Sequence, residues 1–230
     1  MPNAKTNKDK NPDTNEFARL REGLVAYMQQ TQVLRSSLIT EAFLSVPREK
    51  FIGSNLMAHA YEDTALPSIK GQTISQPSTV AAMLELLDVH EGMNVLEVGS
   101  GTGYVLALLS HLVGKEIMVR GIELDGELVE FARERMRELK IKNVEIMQGD
   151  GALGWEEFAP YDRILVSAAC PFVPPALFKQ LKEKGHCIAP VGDSFTQQMI
   201  KMAKFKGKII KREIEGSLYE FVPLKSKTFK

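Results

Sequence analysis

Apolar residues recur three and four apart at Phe17, Leu20, Leu24, Val25 and Met28, a spacing that predicts a helix. After a break near Thr31 the pattern resumes at Leu34, Leu38, Ile39 and Phe43. It ends at Val46-Pro47, because the residue before a proline is pushed out of the helical region. Residues 53–77 hold no sustained period and are punctuated by Pro67, Gly71 and Pro77. A loop of that length in a compact domain is commonly functional. Pro77 suits the first turn of a helix continued by Val80, Met83, Leu84 and Leu87.

From residue 93 the period alternates between short apolar runs and amphipathic ones. The runs NVLEVG (94–99), EIMVRGIEL (116–124), NVEIMQ (143–148), YDRILVSA (161–168) and HCIAPV (186–191) read as strands. Residues 103–113, 126–140 and 175–182 read as helices, the second with Leu128, Val129, Ala132, Met136 and Leu139 on one face. Alternation of this kind implies parallel βαβ units in an open, doubly wound α/β sheet of Rossmann-like type. The tail differs. QMIKMAKF (198–205), KIIKREIE (208–215) and LYEFVPL (218–224) are strand-like runs with turn residues between them, expected to finish the sheet as antiparallel strands.

The chemistry sits at the ends of the predicted strands. Glu97-Val98-Gly99-Ser100-Gly101-Thr102-Gly103 follows the first strand and opens a helix. Glycines there allow a sharp turn and a close approach of backbone to ligand. The spacing is G-x-G-x-G rather than the G-x-G-x-x-G of dinucleotide binders, and Glu97 precedes it. An acid at that point fits a ligand with a cationic end better than a polyphosphate, and S-adenosylmethionine (AdoMet) carries an ammonium and a sulfonium. Glu123 closes the next strand, where a carboxylate can accept from both ribose hydroxyls, with Leu124 beside it. Gly149-Asp150-Gly151 follows the third strand, where an acid can accept from an adenine amino group. Each feature alone has a plainer reading as a turn or a helix cap. Together, in order and at neighbouring strand ends, they point to an AdoMet cradle of Glu97, Gly99, Ser100, Gly101, Gly103, Glu123, Leu124, Asp150 and Gly151.

Composition narrows the class. The 230 residues carry 29 Lys+Arg against 29 Asp+Glu, so no bulk charge draws the chain to nucleic acid or an anionic membrane. No apolar run reaches the ~18 residues a membrane helix needs. The polar stretch at residues 1–15 lacks a signal-peptide core and reads as a disordered tail. Cys170 and Cys187 lie in no metal or redox spacing, which fits two reduced packing residues in a cytosolic protein. His59, His90, His111 and His186 are scattered without ligand spacing, so no metal site is expected.

A family resemblance narrows the acceptor. Ala42-Phe43-Leu44-Ser45-Val46-Pro47-Arg48-Glu49-Lys50-Phe51, Tyr61-Glu62-Asp63 and Gly71-Gln72-Thr73-Ile74-Ser75-Gln76-Pro77 resemble the protein-L-isoaspartate (D-aspartate) O-methyltransferases. The likeness runs on through the glycine loop, Gly149-Asp150-Gly151, Pro160-Tyr161-Asp162 and Ala168 to Pro175, and ends with Val191-Gly192 and Phe221-Val222-Pro223-Leu224. It covers about residues 40–224, and the Gln-Thr-Ile-Ser-Gln-Pro segment is its most specific part. The resemblance implies the class I AdoMet-dependent methyltransferase fold. It also implies methylation of the free α-carboxylate of isoaspartyl residues in damaged proteins, by a cytoplasmic monomer. It puts Ser75 at the acceptor and, with Gln72 and Thr73, against the cofactor, and the backbone of Val191 and Gly192 against the substrate chain. Residues 16–76 would then form a helical cap with the active-site loop, and 77–230 the AdoMet-binding domain, as one compact unit.

The Pro67-Ser68-Ile69-Lys70-Gly71 run departs from the family's usual Pro-Ile-Gly-x-Gly, and Cys170 stands where alanine is usual. Ser75 also has a structural alternative, as the cap of the helix opened by Pro77. Three rivals remain at this point: an AdoMet enzyme with a small-molecule or nucleic-acid acceptor, an NAD-dependent oxidoreductase, and a non-catalytic AdoMet-binding module.

Overall fold

A computed structural model describes residues 12–229 apart from Ser194, Glu215 and Ser217, so the expected tail lies outside the described residues as far as residue 11. Helix α1 (Thr14–Gln30) begins just inside the expected tail, because Asp13 caps it by accepting from the N–H groups of Asn15 and Glu16. Helix α2 (Ser37–Ser45) starts at Ser36, whose hydroxyl accepts from Ile39 N–H. Phe17, Leu24, Val25 and Met28 of α1 and Ile39, Ala42 and Phe43 of α2 are buried in one core cluster with the helices of the main fold.

The stretch without periodicity is short turns plus a minimal hairpin. Strands β1 (Leu66–Pro67) and β2 (Thr73–Ile74) pair antiparallel, Leu66 with Ile74 and Pro67 with Thr73. Helix α3 (Pro77–Leu87) follows, with Pro77 in its first turn.

The main sheet is then built by β3 (Val95–Val98), α4 (Tyr104–Val113), β4 (Val119–Glu123), α5 (Gly126–Glu138), β5 (Val144–Gln148), β6 (Tyr161–Val166), α6 (Pro175–Lys179), β7 (Leu181–Gly192), β8 (Gln197–Phe205) and β9 (Lys208–Glu213). The order is β5-β4-β3-β6-β7-β8-β9. The first five in that order run parallel, and β8 and β9 are added antiparallel. All four residues of β3 and the last four of β6 are buried, as parallel strands covered on both faces require. The order reverses at β3, which pairs with β4 on one side and β6 on the other. A crevice opens at such a reversal, outside the carboxyl ends of the strands.

Two expectations are corrected. The helix expected over 175–182 stops at Lys179, because Leu181 is already paired with Tyr161, whose N–H donates to Gln180 O at 2.8 Å. The run 218–224 forms no strand. It makes single bridges, Tyr219 to Gln197 and Pro223 to Ala169, and the Gln197 side chain accepts from Phe221 N–H at 2.7 Å. Pro223 has no N–H to extend a ladder, so the segment crosses the end of the sheet instead.

Helix α3 is fixed to the sheet by polar ties through its last turn. Arg163 of β6 donates from Nε to Leu87 O at 2.7 Å and Asp88 O at 3.1 Å. His186 of β7 donates from Nε2 to the same Leu87 carbonyl at 2.6 Å. Burial and nearby Arg163 and Lys201 hold that imidazole's pKa down to about 4, so it sits neutral as a donor. These ties set the position of the α3 N-terminus, and with it Ser75.

Candidate active site

The glycine loop turns in the left-handed region, with φ of +77° at Gly99, +52° at Gly101 and +87° at Gly103. Gly99 and Ser100 both donate to Ile122 O, at 2.8 and 3.1 Å, which folds the loop over the end of β4. The three glycines serve different ends. A Cβ on Gly101 would meet nothing within 4 Å, so that backbone faces open space. A Cβ on Gly103 would lie 2.9 Å from Met136 Cε and 3.0 Å from Ala132 Cβ, so this glycine lets α5 pack against the start of α4.

A cavity of about 370 Å³ opens at this point. Gly99, Gly101, Glu123, Leu124 and Gly151 line one side and Gln72 and Thr73 the other. The Glu123 carboxylate is locked at the rim by three backbone donors: Gly101 N to Oε2 at 2.9 Å, and Leu124 N and Asp125 N to Oε1 at 2.8 and 3.0 Å. A second cavity of about 540 Å³ lies alongside, lined by Ser75, Gln76, Ser78, Thr79, Tyr219 and Phe221 among others. Thr73, Ser167 and Val222 line both cavities and mark where they meet.

Ser75 stands in the second cavity with its hydroxyl uncommitted. The cap residue of α3 is Gln76, which makes no side-chain cap bond. The capping is done from a distance by Asp63, which accepts from Ser78 N–H at 2.8 Å and from Gln76 Nε2 at 3.1 Å. The cap role weighed for Ser75 is therefore taken by another residue, and its hydroxyl has no hydrogen-bond partner among the described residues.

Several expected site residues fall elsewhere. Asp150 does not line the cavity: it accepts from Ala152 N–H at 3.0 Å and from Ser226 Oγ at 2.8 Å, capping a turn and tying down the C-terminal segment. Ser100 is buried, 5% exposed, behind the loop, and Gly103 packs on α5. Val191 and Gly192 line neither cavity. They pair with Gln198 and Gln197 of β8, and a Cβ on Gly192 would stand 2.2 Å from Thr196 O. Cys170 also stays out of the site, buried with its thiol pKa pushed up to about 12 by desolvation. Sequence reasoning missed Ser167 and Lys70 as lining residues. The strand pattern around Ser167 was legible, but which residue ends a strand at the shared rim depends on register. Val222 was legible only as part of the family resemblance.

Glu97 lies just behind the first cavity, 1% exposed. Its Oε1 accepts from Ser167 Oγ at 2.6 Å, and its Oε2 is buried without a partner. Burial, with a smaller contribution from Glu123, pushes its pKa up to about 8. A buried acceptor left unmatched beside a cavity is costly unless something cationic or protic completes it. That orphaned oxygen and the open space over Gly101 fit a ligand such as AdoMet, with a cationic amino-acid end and a flat nucleoside.

Residues 19–229 match the protein-L-isoaspartate (D-aspartate) O-methyltransferase family. The chain belongs to that family. It is 42% identical over 213 residues to the protein-L-isoaspartate O-methyltransferase of Methanopyrus kandleri, covering 92% of this chain and 94% of that one. It is 43% identical over 210 residues to the second such enzyme of Archaeoglobus fulgidus, covering 91% and 94%. Among solved structures, a protein-L-isoaspartate O-methyltransferase superposes with a TM-score of 0.83 at 34% identity, over 90% of this chain and 67% of that one. A Plasmodium falciparum structure described as a β-aspartate methyltransferase in complex with S-adenosyl-L-homocysteine superposes with a TM-score of 0.79 at 28% identity, over 89% and 98%. The seven-stranded sheet with its antiparallel end is thus the family's version of the class I methyltransferase fold, which removes the oxidoreductase alternative.

Proposed function

We propose that the two adjoining cavities are the donor and acceptor sites of an AdoMet-dependent protein carboxyl methyltransferase that repairs isoaspartyl residues. Membership of the family carries the reaction. The assignment of residues rests on the shared rim of Thr73, Ser167 and Val222 between a glycine-walled cavity and one holding a free serine hydroxyl.

The donor would lie against Gly99 and Gly101, with Glu123 at its ribose, Gln72 and Thr73 over it, and Glu97 toward its cationic end. Bound there, it supplies an electrophilic methyl group on a sulfonium. The acceptor needs little activation. A free α-carboxylate ordinarily loses its proton near pH 4 and is ionised at pH 7, so no general base has to act. Among the described residues no histidine lines either cavity. What the chain must supply is orientation and exclusion of water. Ser75 does the first by donating its free O–H to one carboxylate oxygen and leaving the other to face the donor. The hairpin β1–β2 and the segment 218–224 cover the two sides and do the second.

The chain is further read as a cytosolic monomer acting on damaged proteins. Both cysteines are buried and unpaired, as suits a reducing compartment, and residues of one chain line both cavities. Among the described residues no helix is long and apolar enough to cross a membrane. A dimer by sedimentation at micromolar concentration would overturn the oligomeric part.

The deciding experiment is methyl transfer from radiolabelled AdoMet to a matched peptide pair, one isoaspartyl and one aspartyl, by wild type, Ser75→Ala and Glu123→Ala. Base-labile label on only the isoaspartyl peptide is expected. Ser75→Ala should lower turnover by about 10- to 100-fold, the worth of one hydrogen bond to a charged group, with AdoMet affinity unchanged. Glu123→Ala should weaken AdoMet binding first. Equal effects of both variants on both quantities would overturn the division of roles.

A further inference from the structure

Three hydroxyls surround the junction of the cavities, and they differ in where their protons go. Ser75 and Thr73 make no side-chain hydrogen bond among the described residues, so each can donate to a ligand. Ser167, which lines both cavities, is committed: its O–H donates to Glu97 Oε1 at 2.6 Å. Its backbone is held as firmly, with its N–H donating to Val98 O at 2.8 Å. Ionised Glu97, the state that a cationic ligand beside it favours, offers Oε1 as an acceptor and keeps the Ser167 proton on that side. In that state the Ser167 oxygen turns only lone pairs toward the junction.

We infer that Ser167 is a specificity-determining residue that favours the methylated donor over its demethylated product, by presenting a proton-free oxygen where the two cavities meet. The inference rests on the reading of the first cavity as the donor site. An oxygen with its proton turned away is attracted to a sulfonium and to the polarised C–H bonds of its methyl group. It gains nothing from the neutral thioether of S-adenosylhomocysteine. The same oxygen repels the acceptor carboxylate, which leaves that group to Ser75. Ser167 therefore marks the donor side of the junction and Ser75 the acceptor side. A buried carboxylate behind the serine adds to the effect, because it fixes the direction of the hydroxyl proton.

The test is isothermal calorimetry with AdoMet and with S-adenosylhomocysteine on wild type, Ser167→Ala, Ser167→Gly, Ser167→Thr and Glu123→Ala. Ser167→Ala should weaken AdoMet about two- to fivefold, the equivalent of about 0.5–1 kcal/mol for a C–H···O contact, and leave S-adenosylhomocysteine unchanged. Ser167→Gly should behave the same way, which guards against a misfolded alanine variant, and Ser167→Thr should restore the wild-type ratio. Parallel loss of both ligands, or no change in either, would overturn the role of Ser167. Glu123→Ala should weaken both ligands together. If it weakens neither, the donor-cavity reading itself fails, and the inference falls with it for that separate reason.

Discussion

Glu97→Gln should raise the stability of the ligand-free protein, and raise it more as pH increases. The folded chain holds the Glu97 proton up to about pH 8, against 4.5 for an ordinary glutamate, because the side chain is buried and one oxygen has no partner. Between those two values the folded state binds a proton that the unfolded state has released, so stability falls as pH rises and the loss levels off above about 8. The interval sets a ceiling of roughly 5 kcal/mol at about 1.4 kcal/mol per pH unit. Glutamine keeps an oxygen for Ser167 Oγ and cannot ionise. Urea unfolding of wild type and Glu97→Gln at pH 5.5, 7 and 8.5 measures the difference directly. The variant's advantage should grow by about 1–3 kcal/mol from the lowest pH to the highest. Comparing the two proteins cancels His186, whose depressed pKa of about 4 acts the other way, removing stability as pH falls from 6.5 toward 4. Parallel stability profiles would refute the argument that Glu97 is a strained buried acid. On the proposed reading, in which the cationic end of the ligand completes Oε2, the same variant should bind AdoMet more weakly. A stability gain coupled to a binding loss is the pattern expected of a site residue held in an unfavourable state.

Three further outcomes follow from the geometry. Gly103→Ala should destabilise the fold by about 1–3 kcal/mol through its positive φ and its collision with Ala132 and Met136, leaving AdoMet affinity per folded molecule intact, whereas Gly101→Ala should weaken AdoMet binding; denaturation and calorimetry separate the two. Asp63→Ala should remove the anchor of Ser78 N–H and Gln76, cost about 1–2 kcal/mol, and raise the KM for an isoaspartyl peptide without moving AdoMet affinity; unchanged KM would contradict its hold on the acceptor loop. The Lys70–Glu127 ion pair, 2.8 Å long and solvent-exposed, joins the hairpin at the donor cavity to α5, so Lys70→Met should speed AdoMet release less than fivefold, and the difference should vanish in high salt by stopped-flow fluorescence.

Patterns with a fixed period were legible because the physics behind them is local. The buried β3 reads as an apolar run, α5 as an amphipathic stripe, and Pro77 as the start of α3. The acids at strand ends were legible as a set, yet the set did not divide itself into those that line the cavity and those that do not. Glu123 ends its strand and Asp150 lies two residues past one. Glu123 ends on the cavity rim, because its backbone partners lie in the glycine loop across the switch point. Asp150 accepts from Ala152 N–H and from Ser226, which is 76 residues further along the chain. No local pattern carries that second partner. Ser75 shows the same limit from the other direction. Its sequence offered a helix cap beside the acceptor contact that the family resemblance implies, and the cap is supplied instead by Asp63, brought to the α3 N-terminus by a loop with no periodicity at all. A capping signal read from adjacent residues is thus incomplete wherever a distant carboxylate can do the capping. A serine relieved of that duty beside a cavity keeps a donor free for a ligand, and this, joined to the family resemblance at that position, makes Ser75 the residue to mutate first.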